Sequence, residues 1–427
     1  MAGEGFASLG LSEPLLRAVD DLSYVSPSPV QLEAIPAILS GRDVWVSART
    51  GSGKTASFVL PLLERFFAQP VAPRGPRTRT RALVIAPTRE LAAQIGEAFD
   101  TCGRHLAARP KTCVLVGGVS KNPQMLALRG GADIVIATPG RLLDLVSANA
   151  LHLAGVEVLV LDEADRLLSL GFADELSRVL ALLGPRQSLL FSATFPATVR
   201  ALAADLLREP VRVEIDAGAG LSGPDATVVQ RAIAVDTGRR TALLRHLLET
   251  HGWAQVLVFV ASRHAADHVA EKLRRASVTA AALHGDLSQG SRTNALEDFK
   301  EHRVQVLVAT DLAGRGLDVV ALPAVVNYDL PRSAVEYVHR IGRTARAGEP
   351  GVAVSFVTAD SEAHFRLIEK RHRLALPRES LAGFEAVEIG TPVLDPHGGV
   401  KGKRKSKKDK LREAALRKPD LATGRGR

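Results

Sequence analysis

Two short stretches carry residues suited to phosphate chemistry: ARTGSGKT at 48–55 and VLVLDEAD at 158–165. The first differs from the phosphate-loop pattern G-x-x-x-x-G-K-[ST] only in having Ala48 where the first glycine belongs. It leaves a strand-like run, DVWVS, and opens a helical one, KTASFVLPLLERF. In that setting Gly51 and Gly53 allow close backbone approach to an anion, and free amides at the helix start supply donors. Lys54 would reach the β- and γ-phosphates of a nucleotide, and the Thr55 hydroxyl would ligate Mg2+. The alternative is a glycine-rich turn that happens to end in Lys-Thr. In the second stretch, four apolar residues deliver Asp162 and Glu163 to a strand end, where open parallel sheets bind ligands. An aspartate there can hold Mg2+, and the next glutamate can polarise a water for in-line attack on a γ-phosphate. A lone Asp-Glu pair is also a common helix start, but a phosphate loop upstream argues for the catalytic reading.

These loops need strands to carry them. Short apolar, β-branched runs recur at 43–48, 82–87, 113–118, 133–138, 158–163, 188–194 and 211–215, with helix-length stretches between. Their apolar residues are successive rather than alternate, as in strands buried on both faces of a parallel sheet. The stretch 216–229, DAGAGLSGPDATVV, reads as a linker. Strand-like runs then resume at 255–262, 278–286, 304–311, 324–329 and 351–357, followed by a helical piece around 360–376. The pattern predicts two tandem α/β domains with doubly wound parallel sheets. Their boundaries are 1–215 and 230–376, with an extension at 377–427. The Pro- and Arg-rich stretch 69–81 reads as a surface loop.

A chain of 427 residues with 46% hydrophobic content can bury more than one core. No run approaches the about 18 apolar residues of a membrane span, and MAGEGFASLG has no signal-peptide pattern. Two cysteines, Cys102 and Cys113, read as free thiols in a reducing cytoplasm. From Lys401 onward twelve Lys/Arg face three acids, which accounts for the whole formal charge of +9. That tail should be disordered, and we read it as an arm for a nucleic-acid backbone rather than a merely solubilising end.

The sequence resembles the DEAD-box RNA helicases of helicase superfamily two, named for the tetrapeptide Asp162-Glu163-Ala164-Asp165. The likeness runs from about residue 6 to 375. SYVSPSPVQ (23–31) is similar to the family's Q motif, with Phe6 upstream. Ser23 and Ser28 stand where the family has Gly and Thr, whereas Ala48 is what the family itself uses. The resemblance implies two RecA-like domains with a cleft between them, plus a basic C-terminal tail. It implies ATP contacts from Phe6, Ser26, Gln31, Ala48, Arg49, Thr50, Gly51, Ser52, Gly53, Lys54, Thr55 and Asp318, with Mg2+ on Thr55 and Asp162. YVHRIGRTARAG (337–348) is similar to the last core motif, so Arg343 and Arg346 are implied to reach the γ-phosphate from the second domain; a solvated helix face is the alternative reading of its three arginines. RNA contacts are implied at Pro87, Thr88, Arg89, Gly117, Gly118, Thr138, Pro139 and Arg141 in the first domain. Arg263, Thr310 and Arg315 are their counterparts in the second. Ser192, Ala193, Thr194, Asp165 and His339 are implied to couple hydrolysis to the RNA path.

The expected function is an ATP-dependent RNA helicase or RNA-remodelling enzyme, with ribosome assembly and RNA turnover as its settings. Ribosomal precursor or the degradation machinery would be partners. A non-enzymatic RNA clamp would not need Glu163, and the Q motif argues against a DNA motor of the same superfamily. The Ala- and Arg-rich, Lys-poor core suggests a bacterial origin.

Overall fold

The computed structural model describes residues 5–48, 51–67, 80–215, 228–314, 319, 322–345 and 351–388. Arg49, Thr50, Arg315, Asp318 and Arg346 lie outside them, as do the loop at 69–79, the stretch 216–227 and the tail 401–427.

The alternating pattern folds into two seven-stranded sheets in which every pairing is parallel. The first holds β1 (Val44–Ser47), β2 (Ala82–Ile85), β3 (Thr112–Leu115), β4 (Ile134–Ala137), β5 (Val158–Leu161), β6 (Gln187–Ser192) and β7 (Val211–Glu214), in the order β3-β4-β2-β5-β6-β1-β7. The second holds β8 (Val228–Ala234), β9 (Val256–Val260), β10 (Ala280–Leu283), β11 (Val306–Thr310), β12 (Ala324–Asn327), β13 (Gly351–Val357) and β14 (Arg378–Glu379), in the order β10-β11-β9-β12-β13-β8-β14. Position for position, the second order repeats the first.

Burial explains the successive apolar residues. Every residue of β2, β4, β5 and β6 is buried, because helices cover both faces. Val84, Val160 and Phe191 face Phe58, Phe66 and Phe99 on one side. Leu83, Leu161 and Leu190 face Leu142, Leu167 and Val199 on the other. Cys102 and Cys113 are free and buried, and burial pushes the Cys102 thiol up to about 11. No helix among the described residues is long and apolar enough to cross a membrane.

Two elements differ from the sequence expectation. Val228 and Val229, read as the end of a linker, open β8. Residues 377–388, read as the start of an extension, belong to the second unit. Arg378 pairs with Glu362 and Glu369 at 2.9 and 2.7 Å, and Leu381 and Phe384 pack on its core. Asp236 accepts the amides of Val387 and Glu388, while the Glu388 carboxylate accepts the amide and hydroxyl of Thr237.

Phe58 is fully buried edge-on to Phe191, with centroids 5.1 Å apart. Phe58→Ala should destabilise the first unit by about 3–5 kcal/mol, seen as an earlier transition in urea unfolding. An unchanged midpoint would show that this face is not tightly packed.

Candidate functional site

Sheet order decides which loops meet. β5, β6 and β1 are neighbours and parallel, so the loops leaving them emerge on one edge, bringing residues 48, 51–53, 162–163 and 193–196 together. Gly51 and Gly53 adopt φ of 78° and 93°, the left-handed region glycine enters without strain. A Cβ on Gly53 would stand 2.6 Å from Gln31 Nε2. Gln31 thus lies directly on the loop: its Nε2 donates to Gly53 O at 3.2 Å and its Oε1 accepts Ser28 N at 2.8 Å. Lys54 is buried at the helix start and donates to Ala48 O at 2.6 Å. Thr55 is half-buried beside it, as is Ser52, and Ala48 is buried. Phe6 is buried, its ring stacked 6.3 Å from Tyr24, while Ser26 is exposed. Ser23 has φ 57°, so the Q motif opens in a conformation that favours the glycine the family places there.

Asp162 and Glu163 are buried at the end of β5, with Glu163 at φ 49°. That left-handed turn lets Asp162 Oδ1 accept the Glu163 amide at 2.9 Å. Burial, then the adjacent Glu163, push the Asp162 carboxyl up to about 7, against the pull of Lys54. Burial also works to raise Glu163, but Arg166, Lys54, Arg343 and His339 together hold its carboxyl below the ordinary glutamate value. Arg166 is the nearest, with Nη1 2.7 Å from Glu163 Oε2. Sequence reasoning did not assign it, although its i+3 position after Glu163 was a usable signal. Arg343 and His339 act on Glu163 from the second unit.

Asp165, Ser192 and Thr194 form a closed ring. Thr194 donates to Asp165 Oδ2 through its amide at 3.0 Å and its hydroxyl at 2.6 Å. Ser192 Oγ accepts the Asp165 amide at 3.2 Å and donates to Thr194 O at 2.8 Å, with Ala193 in the turn between. Ala48 N donates to Ser192 O at 3.2 Å, joining the ring to the phosphate loop.

Of the three arginines of 340–346, Arg340 and Arg343 lie within the described residues and have different fates. Arg340 is held inside the second unit by both Asp311 oxygens at 2.6 and 2.9 Å, by Asn327 Oδ1 at 3.0 Å and by Asp329 O at 2.6 Å. Arg343, one turn on, is buried within the field of Glu163.

Beside this cleft lies a second set. Thr88 caps its helix through Leu91 N, and Arg89, after Pro87, donates to Gln289 of the second unit at 3.3 Å. A Cβ on Gly118 would meet the Arg89 guanidinium at 2.0 Å, so glycine there is what lets the arginine pass. Gly117 N donates to Thr138 Oγ1 at 3.4 Å, and Pro139 starts the helix that carries Arg141. Arg141 donates to Val119 O at 2.8 Å; its Nε and Nη1 are buried with no hydrogen-bond partner among the described residues. In the second unit Arg263 is exposed and bonds Asp286, and Thr310 ends β11 half-buried. The sequence reading passed over a cross-unit ion pair, Arg292 Nη2 to Glu90 Oε1 at 2.5 Å, with both side chains 7% exposed. Their 202-residue separation left no local signal.

Two family models match the chain: DEAD/DEAH box helicase at 28–202 and helicase conserved C-terminal domain at 239–348. The chain is 42% identical over 381 residues to ATP-dependent RNA helicase DeaD of Escherichia coli (strain K12), covering 89% of this chain and 59% of that protein. It is also 42% identical over 372 residues to DEAD-box ATP-dependent RNA helicase 28 of Oryza sativa subsp. japonica, covering 86% and 45%. It thus spans roughly half the length of these relatives. Its fold matches S. cerevisiae Dbp5 bound to RNA and ADP BeF3 with a TM-score of 0.78 and 30% identity, over 88% of this chain and 96% of that one. With these matches and the site geometry together, the chain belongs to the DEAD-box family of ATP-dependent RNA helicases.

Proposed function

We propose that this chain hydrolyses ATP in response to RNA and uses the cycle to separate short duplexes or remodel RNA–protein complexes. The observation that carries the reading is the split site: Lys54, Asp162 and Glu163 in one unit face His339 and Arg343 in the other. Such chemistry is complete only while the units are together, so whatever binds across both promotes turnover. RNA is the ligand we assign to the adjoining surface. Arg89, Arg141 and Arg263 suit phosphates, and Gly117, Gly118, Thr138 and Thr310 supply small groups and backbone donors rather than base-reading side chains. Ribosomal precursor and the degradation machinery are the settings we favour, in a reducing cytoplasm where both buried thiols stay free.

The residues fit a magnesium nucleotide. Gly51 and Gly53 take up left-handed conformations that let the backbone turn closely around an anion, and the Thr55 hydroxyl and Asp162 carboxylate are oxygen donors of the kind a hard cation takes. When bound, Mg2+ supplies charge compensation for the phosphates. The chain's own groups do the rest. Gln31 and Phe6 border the base side, Lys54 neutralises phosphate charge, and Arg343, with Arg346, stabilises charge developing on the γ-phosphoryl oxygens. Glu163, kept ionised by the cations around it, accepts the proton of the attacking water.

Glu163→Gln should lower RNA-stimulated ATP turnover by about 10²-fold or more while leaving nucleotide binding in place. Turnover measured with single-stranded RNA, single-stranded DNA and neither decides the substrate. Equal stimulation by DNA would point to a DNA motor, and RNA binding without turnover to a clamp. Because Asp162 sits at about 7 before it meets a cation, Mg2+–nucleotide affinity should weaken by about tenfold per unit as pH falls below that value. Calorimetry in two buffers should then show about half a proton released on binding at about pH 7, rising toward one at lower pH. Arg292→Ala leaves Glu90 buried and unpaired, which costs about 3–5 kcal/mol when the units are together. It should therefore raise the KM for RNA more than it lowers kcat, and the Glu90→Arg, Arg292→Glu exchange should recover part of the loss.

A further inference from the structure

Trp45 lies on β1, the strand that feeds the phosphate loop, with Leu190 of β6 and Arg212 of β7 as its register partners. Its ring stacks on Phe195 at 4.4 Å between centroids and 20° between planes, and the Arg212 guanidinium stands 5.2 Å from the indole centroid. Phe195 directly follows the ring of hydrogen bonds formed by Ser192, Thr194 and Asp165. The segment 192–195 is thus pinned from two sides. Asp165 holds it by hydrogen bonds, and Trp45 holds it by an apolar stack that starts from the nucleotide strand itself. The indole Nε1 is buried with no hydrogen-bond partner among the described residues. The stack therefore grips Phe195 through dispersion and ring contact alone, with a cation against the indole.

We propose that Trp45 is a positioning residue for the coupling segment. Through Phe195 it sets where Ser192–Thr194 stand relative to the phosphate loop, and so how many ATP molecules are hydrolysed per duplex separated. This rests on the reading of Ser192–Thr194 as the segment that links hydrolysis to strand separation. Trp45 touches neither nucleotide nor RNA in this scheme, so its loss should uncouple the two outputs rather than abolish either.

The test compares Trp45→Ala and Trp45→Phe with the unaltered chain, reading RNA-stimulated ATP turnover and duplex separation in one reaction. In the Ala variant, turnover should stay within about twofold while duplexes separated per ATP fall about fivefold or more. Trp45→Phe keeps an aromatic face for Phe195 and should regain at least half of the lost ratio. A second readout does not depend on the Ala variant folding. The chain has two tryptophans, so in Trp253→Phe the emission reports Trp45 alone. It should shift when single-stranded RNA and a non-hydrolysable ATP analogue are added together, and not with either alone. An unchanged ratio in Trp45→Ala, a Trp45→Phe variant no better than Ala, or emission indifferent to both ligands would overturn the proposal. Absence of RNA-stimulated turnover in the unaltered chain would instead overturn the helicase reading itself.

Discussion

An ionised carboxylate survives in a protein interior only with cations around it, and Glu163 is the place where that requirement is felt most. Arg166 meets it within the same helical turn, Lys54 from the phosphate loop, and Arg343 and His339 from the other sheet. Much of the architecture serves this one charge. β5 brings Glu163 to the sheet edge and β1 brings Lys54 to the same edge two strands away. In the second unit, Asp311 and Asn327 occupy Arg340 on the helix Ala334–Ile341, while Arg343, just beyond the end of that helix, lies in the field of Glu163. The left-handed backbone at Glu163 is the local strain this geometry demands, of the sort proteins keep where function requires it.

How much could be read in advance follows from how local each signal was. The strands β2, β4, β5 and β6 were legible because burial on both faces demands unbroken apolar residues. β8 was blurred because VVQRAIA carries Gln230 and Arg231 in mid-strand. Their polar groups are satisfied far off in sequence, by the Tyr337 hydroxyl at 2.9 Å and by Glu379 at 2.6 Å. β14, two residues long, had no periodicity to detect. At the site, the phosphate loop and Asp162-Glu163 could be read because a single strand and its following loop fix their geometry. The Glu90–Arg292 pair and the partner of Arg89 depend on how two units meet, and no spacing within either unit encodes that. Ser23 shows the reverse case. The sequence revealed a departure from the family's glycine, and its left-handed φ gives that glycine a physical reason.

The repeated strand order makes the difference between the units plain. After β1 the first unit makes a glycine-rich phosphate loop, whereas after β8 the second makes a turn around Asp236 and Thr237. There the carboxylate of the chain's own Glu388 takes the Thr237 amide and hydroxyl, while Asp236 takes the amides of Val387 and Glu388. One topology thus carries a nucleotide corner in one copy and a self-filled corner in the other. Arg343, the arginine in the field of Glu163, comes instead from just beyond the helix that follows β12.

The clasp between Glu90 and Arg292 has a thermodynamic character of its own. Two ions held against each other in a dry interface gain attraction but forgo hydration, and the two terms nearly cancel. Were the units to part, water would return to both groups and repay most of the lost contact. Such a clasp aligns the units without gluing them, whereas an apolar pair of similar volume would favour the joined state and slow its release. In the cycle we propose, where the units join and part with each turnover, ions at this position serve better than a tighter seal.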